Sequence, residues 1–129
     1  MIELDHVIVP SRDRVAAARL LAGLLGVPWE ETALGVFSPV YVNAGLTLEF
    51  AQTAEDFPIE HFCFRVSEAE FDAILGRLRA GGIGWRATVS GPNDGRIGTA
   101  YGGRGIYWDE PEGHRWEILT ASYARRMGQ

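Results

Sequence analysis

Two histidines and two glutamates define the chemistry open to this sequence. Glu49 follows His6 by 43 residues, and Glu117 follows His61 by 56. Neutral imidazole and carboxylate together suit Zn²⁺, Ni²⁺, Fe²⁺ or Mn²⁺, and two histidines with one carboxylate and open positions suit non-haem Fe²⁺. Glu117 stands between Trp116 and Ile118. A charge among bulky apolar neighbours is costly to bury unless it is paired or metal-bound, so Glu117 needs a partner. His6, Glu49 and His61 are the best ones the chain offers. A single strand histidine reads most simply as a satisfied structural residue. Two at matching positions of a repeat point to ligands. Glu49 also has an ordinary reading, as an edge carboxylate on a hairpin.

The elements that must carry these residues can be read from local pattern. Gly105 to Thr120, GIYWDEPEGHRWEILT, reads as strand, turn, strand. Ile106, Tyr107 and Trp108 favour a strand, Pro111-Glu112-Gly113 is turn chemistry, and Trp116 to Thr120 returns. Alternation sets Trp116 and Ile118 on one face and Arg115, Glu117 and Leu119 on the other. His114, in the turn, is expected to face solvent. Ile2 to Pro10 reads as a strand with Leu4, His6 and Ile8 on one face. Ser11 is the expected N-cap of a helix striped by Val15, Ala18, Leu21, Ala22 and Leu25 and stopped by Gly26 and Pro28, with Asp13 suiting its positive end. Phe37 to Val42 and Leu46 to Ala51 form a hairpin about Asn43-Ala44-Gly45, with Thr47, Glu49 and Ala51 on one face.

Ala54 to Pro58 is a short linker. Ile59 to Val66 is a strand with His61, Cys63 and Arg65 on one face. Ser67 and Glu70 have capping-box spacing, and Phe71, Ile74, Leu75 and Leu78 give a helical stripe ended by Gly81-Gly82. Trp85 to Ser90 is an expected strand. Gly91 to Gly103 is a long glycine-rich loop of the kind that serves as a lid. Ala121 to Gln129 is a short helical or frayed tail.

A repeat emerges. Each half reads strand, helix, then three strands, and Asp5-His6 in one half matches Glu60-His61 in the other. The two histidine-to-glutamate spacings differ by the length of the Gly91 to Gly103 segment. The second half therefore reads as the first with a lid inserted. If two such curved sheets pair about a pseudo-twofold axis, His6, Glu49, His61 and Glu117 converge in one cleft. The expected fold is α+β: one domain over 1–129, with module 1 at about 1–53, module 2 at about 59–120 and a tail at 121–129.

Composition narrows the partners. The chain has 129 residues, is 47% hydrophobic and carries a formal charge of −5. That is enough for a core and argues against nucleic acid or an anionic membrane as partner. Cys63 is the only cysteine, so no internal disulfide is expected and a reducing cytoplasm is the simplest compartment. No signal peptide and no membrane span are expected. Cys63 reads as a small core residue without a lowered pKa.

LDHVIVPSRDRVAAARLLAGLLGV, EHFCFRV and GIYWDEPEGHRWEIL together resemble the vicinal oxygen chelate superfamily, the group of glyoxalases, bleomycin-resistance proteins and extradiol dioxygenases. The first is similar to its opening strand and helix, the second to its fifth strand, the third to its final hairpin. The resemblance implies two βαβββ modules forming a half-barrel sheet with helices outside. It implies a divalent metal (Zn, Ni, Fe or Mn) held by His6, Glu49, His61 and Glu117. The expected activity is that of a glyoxalase-like isomerase or lyase: the metal binds two oxygens of a small substrate and stabilises an enediolate. Glu49 or Glu117 would then leave the metal as general base. The alternatives are an extradiol-type dioxygenase using His6, His61 and Glu117, a fosfomycin-type thiol transferase, and a drug-binding protein without catalysis.

Arg65, on the parity of His61, would clamp an anionic substrate group or pair with a nearby carboxylate. Tyr107 would donate a hydrogen bond into the site. Tyr101, Arg96 and Arg104 flank the lid. Arg125 and Arg126 read as a solvated tail, although fosfomycin-modifying relatives place an arginine similarly. Exposed sheet edges and the short linker favour a homodimer, and in family relatives that arrangement brings ligands from both chains around each metal.

Overall fold

The computed structural model describes residues 1–125. The chain divides into two compact units, Met1–Pro58 and Ile59–Gln129. The duplicated α+β class expected from the sequence is what both units adopt.

In the first unit β1 (His6–Ser11), α1 (Arg14–Leu25), β2 (Phe37–Asn43) and β3 (Leu46–Gln52) follow in order. The sheet runs β1-β3-β2, with β3 central, parallel to β1 and antiparallel to β2. β1 starts at His6 rather than at Ile2. The Thr47 amide still reaches the Asp5 carbonyl, but β3 begins at Leu46, so nothing remains to pair residues 2–4, and Ile2 and Leu4 are exposed. The N-cap is Asp13, not Ser11: Asp13 accepts the Ala16 amide at 3.1 Å. Ser11 completes β1, and its hydroxyl accepts the Asp13 amide instead. Gly26, at φ 73°, closes α1 in the left-handed region that favours glycine. Ala18, Leu21 and Ala22 on α1 and Val9, Val40, Leu48 and Phe50 on the strands are buried together.

In the second unit β4 (His61–Arg65), α2 (Glu68–Ala80), β5 (Gly105–Asp109) and β6 (Arg115–Leu119) repeat the scheme, with sheet order β4-β6-β5. Ser67 and Glu70 form the expected capping box, and α2 buries Phe71, Ile74, Leu75 and Leu78. On one face of the sheet Trp108 pairs with Trp116 and Ile106 with Ile118. Phe62 and Phe64 stack against Trp116 with centroids 5.1 and 6.1 Å away.

The fourth strand expected in each half shrinks to a single bridge, Trp29 with Val40 and Arg86 with Tyr107. Arg86 shows why Trp85 to Ser90 does not continue as a ladder. Its guanidinium is buried and binds the Val89 carbonyl, the Asn93 side chain and Asp109. Gathering Val89 and Asn93 around one side chain curls the backbone away from β5. No helix among the described residues is long and apolar enough to cross a membrane.

Candidate metal centre

The two sheets carry their histidine and glutamate at the same register. In the first, Ile8 lies opposite Glu49 and His6 is two residues before Ile8. In the second, Cys63 lies opposite Glu117 and His61 is two residues before Cys63. Period-two alternation therefore points each histidine and its glutamate to one face, the imidazole on an edge strand and the carboxylate on the central one.

In the second unit the pair is in contact: His61 Nε2 lies 3.0 Å from Glu117 Oε1. The Glu117 side chain is only 2% exposed. Tyr123, in the tail, donates its hydroxyl to Glu117, at 2.7 Å from Oε1 and 3.0 Å from Oε2. Tyr107 lies beside both, with its oxygen 3.4 Å from that of Tyr123 and its ring 5.8 Å from His61. Burial raises the Tyr107 pKa, with Glu117 adding to it. Burial first, then Tyr107 and Glu117, push the Tyr123 hydroxyl far above its ordinary range, so it remains a proton donor.

Cys63 is open to solvent as a residue, yet desolvation of its thiol, reinforced by Glu117, pushes its pKa up to about 12. It is neither the enclosed core residue expected nor an activated nucleophile.

A hollow of about 70 Å³ opens over this group, lined among others by Glu117, Tyr107, Tyr123, Tyr101 and Gly103. The loop expected as a lid supplies one wall. It is anchored where Gly98 and Gly105 exchange backbone hydrogen bonds of 2.8 and 2.9 Å. Gly103 permits close approach: a Cβ there would sit 2.5 Å from Thr120 Oγ1 and 2.9 Å from the Ala121 amide nitrogen.

In the first unit His6 and Glu49 line one hollow of about 390 Å³ with Asp5, Ile8, Phe37 and Thr47. His6 Nδ1 contacts Asp5 Oδ2 at 2.8 Å. A carboxylate on Nδ1 fixes the ring and leaves Nε2 as the nitrogen that could accept a ligand.

Arg65 lies exposed at the end of β4, opposite Leu119, and does not line the Glu117 hollow. Arg104 is committed to α2: it pairs with Glu68 and Asp72 and covers the Phe71 ring. Arg96 pairs with Asp94 on the surface. Arg125 is exposed, and Arg126 lies outside the described residues.

His114 overturns its expectation. It is fully buried, its Nδ1 accepts the Glu60 amide at 2.9 Å, and its ring meets Trp116 edge-on. Gly113, at φ 100°, passes close to Ile59: a Cβ there would sit 3.5 Å from the Ile59 side chain.

The donor set suits a borderline divalent cation: imidazole nitrogen and carboxylate oxygen, with one carboxylate withdrawn from water. Each unit supplies two such donors. Among the described residues no three His, Cys, Asp or Glu side chains gather closely enough to hold a metal ion.

Two repeated units, each with a three-stranded sheet and one helix, match the vicinal oxygen chelate fold that the sequence resembles. Comparison with solved structures agrees on that fold, and the chain belongs to the same family as two proteins named as oxidases. It is 38% identical to Oxidase ChaP-H2, over 95% of each chain, with a TM-score of 0.89. It is 39% identical to Oxidase ChaP-H1, over 97% of this chain and 100% of that one, also with a TM-score of 0.89. A glyoxalase/dioxygenase from Nostoc punctiforme shares the fold at 15% identity, over 93% of this chain and 91% of that one, with a TM-score of 0.68. No protein-family model and no curated protein sequence matches the chain.

Proposed function

We propose that both units work as one domain, a metal-dependent oxidase acting on a small substrate through neighbouring oxygens. The carrying observation is the buried Glu117 carboxylate turned on His61 Nε2, at a register the His6–Glu49 pair repeats. In this reading His6, His61 and Glu117 hold the cation and Glu49 is a fourth ligand. Two histidines and a carboxylate favour Fe²⁺, and the names of the two relatives near 40% identity favour oxidation over the isomerase or lyase reading. The cation would polarise two substrate oxygens and, as iron, allow reaction with dioxygen.

The chain's own residues then divide the work. Glu117, the buried carboxylate, stays a ligand. Glu49 is the less buried carboxylate, free to take a substrate proton. Tyr107 and Tyr101 bound the space where substrate sits, and Arg65 meets an anionic substituent at its edge.

Metal analysis of the purified protein tests this. Wild type should carry stoichiometric divalent metal, and His61→Ala and His6→Ala should each lose it while keeping the circular-dichroism spectrum of the folded chain. Iron-loaded protein should then consume dioxygen when offered small catechol-like or hydroxyketone compounds. Metal retained in both variants would exclude the site. Substrate conversion without dioxygen uptake would restore the isomerase reading. The proposal includes a homodimer whose chains share ligands. Refolding His6→Ala and His61→Ala together should then restore part of the lost metal.

A further inference from the structure

Glu117 is not an open ligand. Its two oxygens are met by three contacts from protein groups: His61 Nε2 on Oε1 at 3.0 Å, and the Tyr123 hydroxyl on Oε1 at 2.7 Å and Oε2 at 3.0 Å. The carboxylate is 2% exposed, so these groups stand where water would otherwise solvate it. Tyr123 comes from beyond the end of β6, from a stretch with no helix or strand, and is 41% exposed. Its ring rests against Tyr101 at 4.9 Å between centroids. Its oxygen has a second neighbour at hand in Tyr107, at 3.4 Å.

We propose that Tyr123 is a latch on the metal centre: its hydroxyl caps Glu117 in the metal-free protein and swings off the carboxylate when a cation binds His61 and Glu117. This rests on the metal-binding reading above. The latch follows from geometry and from one proton. A hydroxyl has a single hydrogen to donate, and here it is shared between the two carboxylate oxygens. A cation held by His61 and Glu117 would draw electron density from the same carboxylate that accepts the hydroxyl proton, so the two would compete for it. The released hydroxyl turns to Tyr107, and the half-exposed ring has room to move. Tyr101 carries the movement to the 91–103 loop, so cation binding and the wall of the Glu117 hollow are linked. Tyr123 is in this sense a positioning residue. It stabilises the empty site and competes with its occupant.

The test uses metal-stripped full-length chain and Zn²⁺ alone as probe. Tyr123→Phe keeps the ring and removes the hydroxyl. The metal-free variant should melt below wild type, because Glu117 loses a partner. Zn²⁺ affinity by calorimetry should rise about tenfold or more, the fold-change that loss of one charge-assisted hydrogen bond from the competing state corresponds to. A purely structural tyrosine would lower both. Zn²⁺ binding to wild type with equal or weaker binding to Tyr123→Phe overturns the latch and leaves the metal reading intact. Binding by the variant alone supports the latch in its strongest form. Binding by neither removes both proposals. Should the variant not fold, wild type still decides: Zn²⁺ must perturb the tyrosine absorption spectrum as Tyr123 leaves Glu117, and saturation with an unchanged spectrum overturns the latch.

Discussion

Asp109→Ala should destabilise the protein by about 2–4 kcal/mol at neutral pH, read from urea denaturation midpoints. Among the described residues Asp109 is the only carboxylate that meets the Arg86 guanidinium, at 2.8 Å on Nη1 and 3.2 Å on Nη2. Arg86 is 2% exposed, and its Nε is already buried without a hydrogen-bond partner among the described residues. Removing Asp109 leaves a buried cation held, among the described residues, by the Asn93 side chain and the Val89 carbonyl. The magnitude sits low in the range for buried pairs because the Asp109 side chain is 37% exposed. Hydrogen bonding to Arg86 holds the Asp109 pKa below the usual carboxylate range, with Arg115 helping against desolvation. Its contribution is therefore present above the unfolded aspartate value near ~3.9 and is lost as pH falls through the lower folded value. Wild type and variant should differ most near pH 7 and converge in acid. Equal midpoints at pH 7 would show that Arg86 is satisfied without Asp109.

Glu110→Gln should have the opposite sign. The Glu110 side chain is buried, its Oε1 has no hydrogen-bond partner among the described residues, and His114 Nε2 stands 3.9 Å away. Because His114 Nδ1 accepts the Glu60 amide, the neutral ring carries its proton on Nε2, toward Glu110. Burial, with Glu112 adding repulsion, pushes the Glu110 pKa up to about 7. A carboxyl whose folded pKa is raised binds more protons folded than unfolded, so stability falls as pH rises between the unfolded value of ~4.3 and the folded value, and is level above it. The loss across that window is on the order of 3 kcal/mol. Glutamine keeps the shape, stays neutral and can accept from His114. The variant should be about as stable as wild type at pH 4.5, more stable at pH 8, and should lack the wild-type decline between. A wild-type profile parallel to that of the variant would show that water reaches Glu110.

What could be read from sequence was what local periodicity encodes. The capping box before α2 and the left-handed Gly26 after α1 involve neighbours only, so their patterns suffice. The parity that set His61 with Cys63 on one strand and Glu117 with Arg115 and Leu119 on another follows from alternation, and the register of β4 on β6 then put His61 and Glu117 on one face. The misses involve side chains that reach across the chain. Nothing local distinguishes Trp85 to Ser90 from a strand until Arg86 binds Asp109, 23 positions away. His114 sits in turn sequence, yet its ring bonds to Glu60, 54 positions away. Tyr123 lies in a tail without period, and only the folded backbone places its hydroxyl on Glu117.

Cys63, opposite Glu117 on the neighbouring strand, has a kinetic consequence. With its pKa at about 12, the native thiol is almost wholly protonated near pH 8. Once β4 separates from β6 and the sulfur meets water, it returns to a pKa of ~8.5. Its thiolate fraction at pH 8 then rises on the order of a thousandfold. Alkylation by a small neutral reagent will proceed through the opened form wherever β4 opens in more than about one molecule in a thousand, a cost below about 4 kcal/mol. Its rate under mild conditions reports how often the carboxylate-bearing strand loses its parallel neighbour, with no label added to the chain.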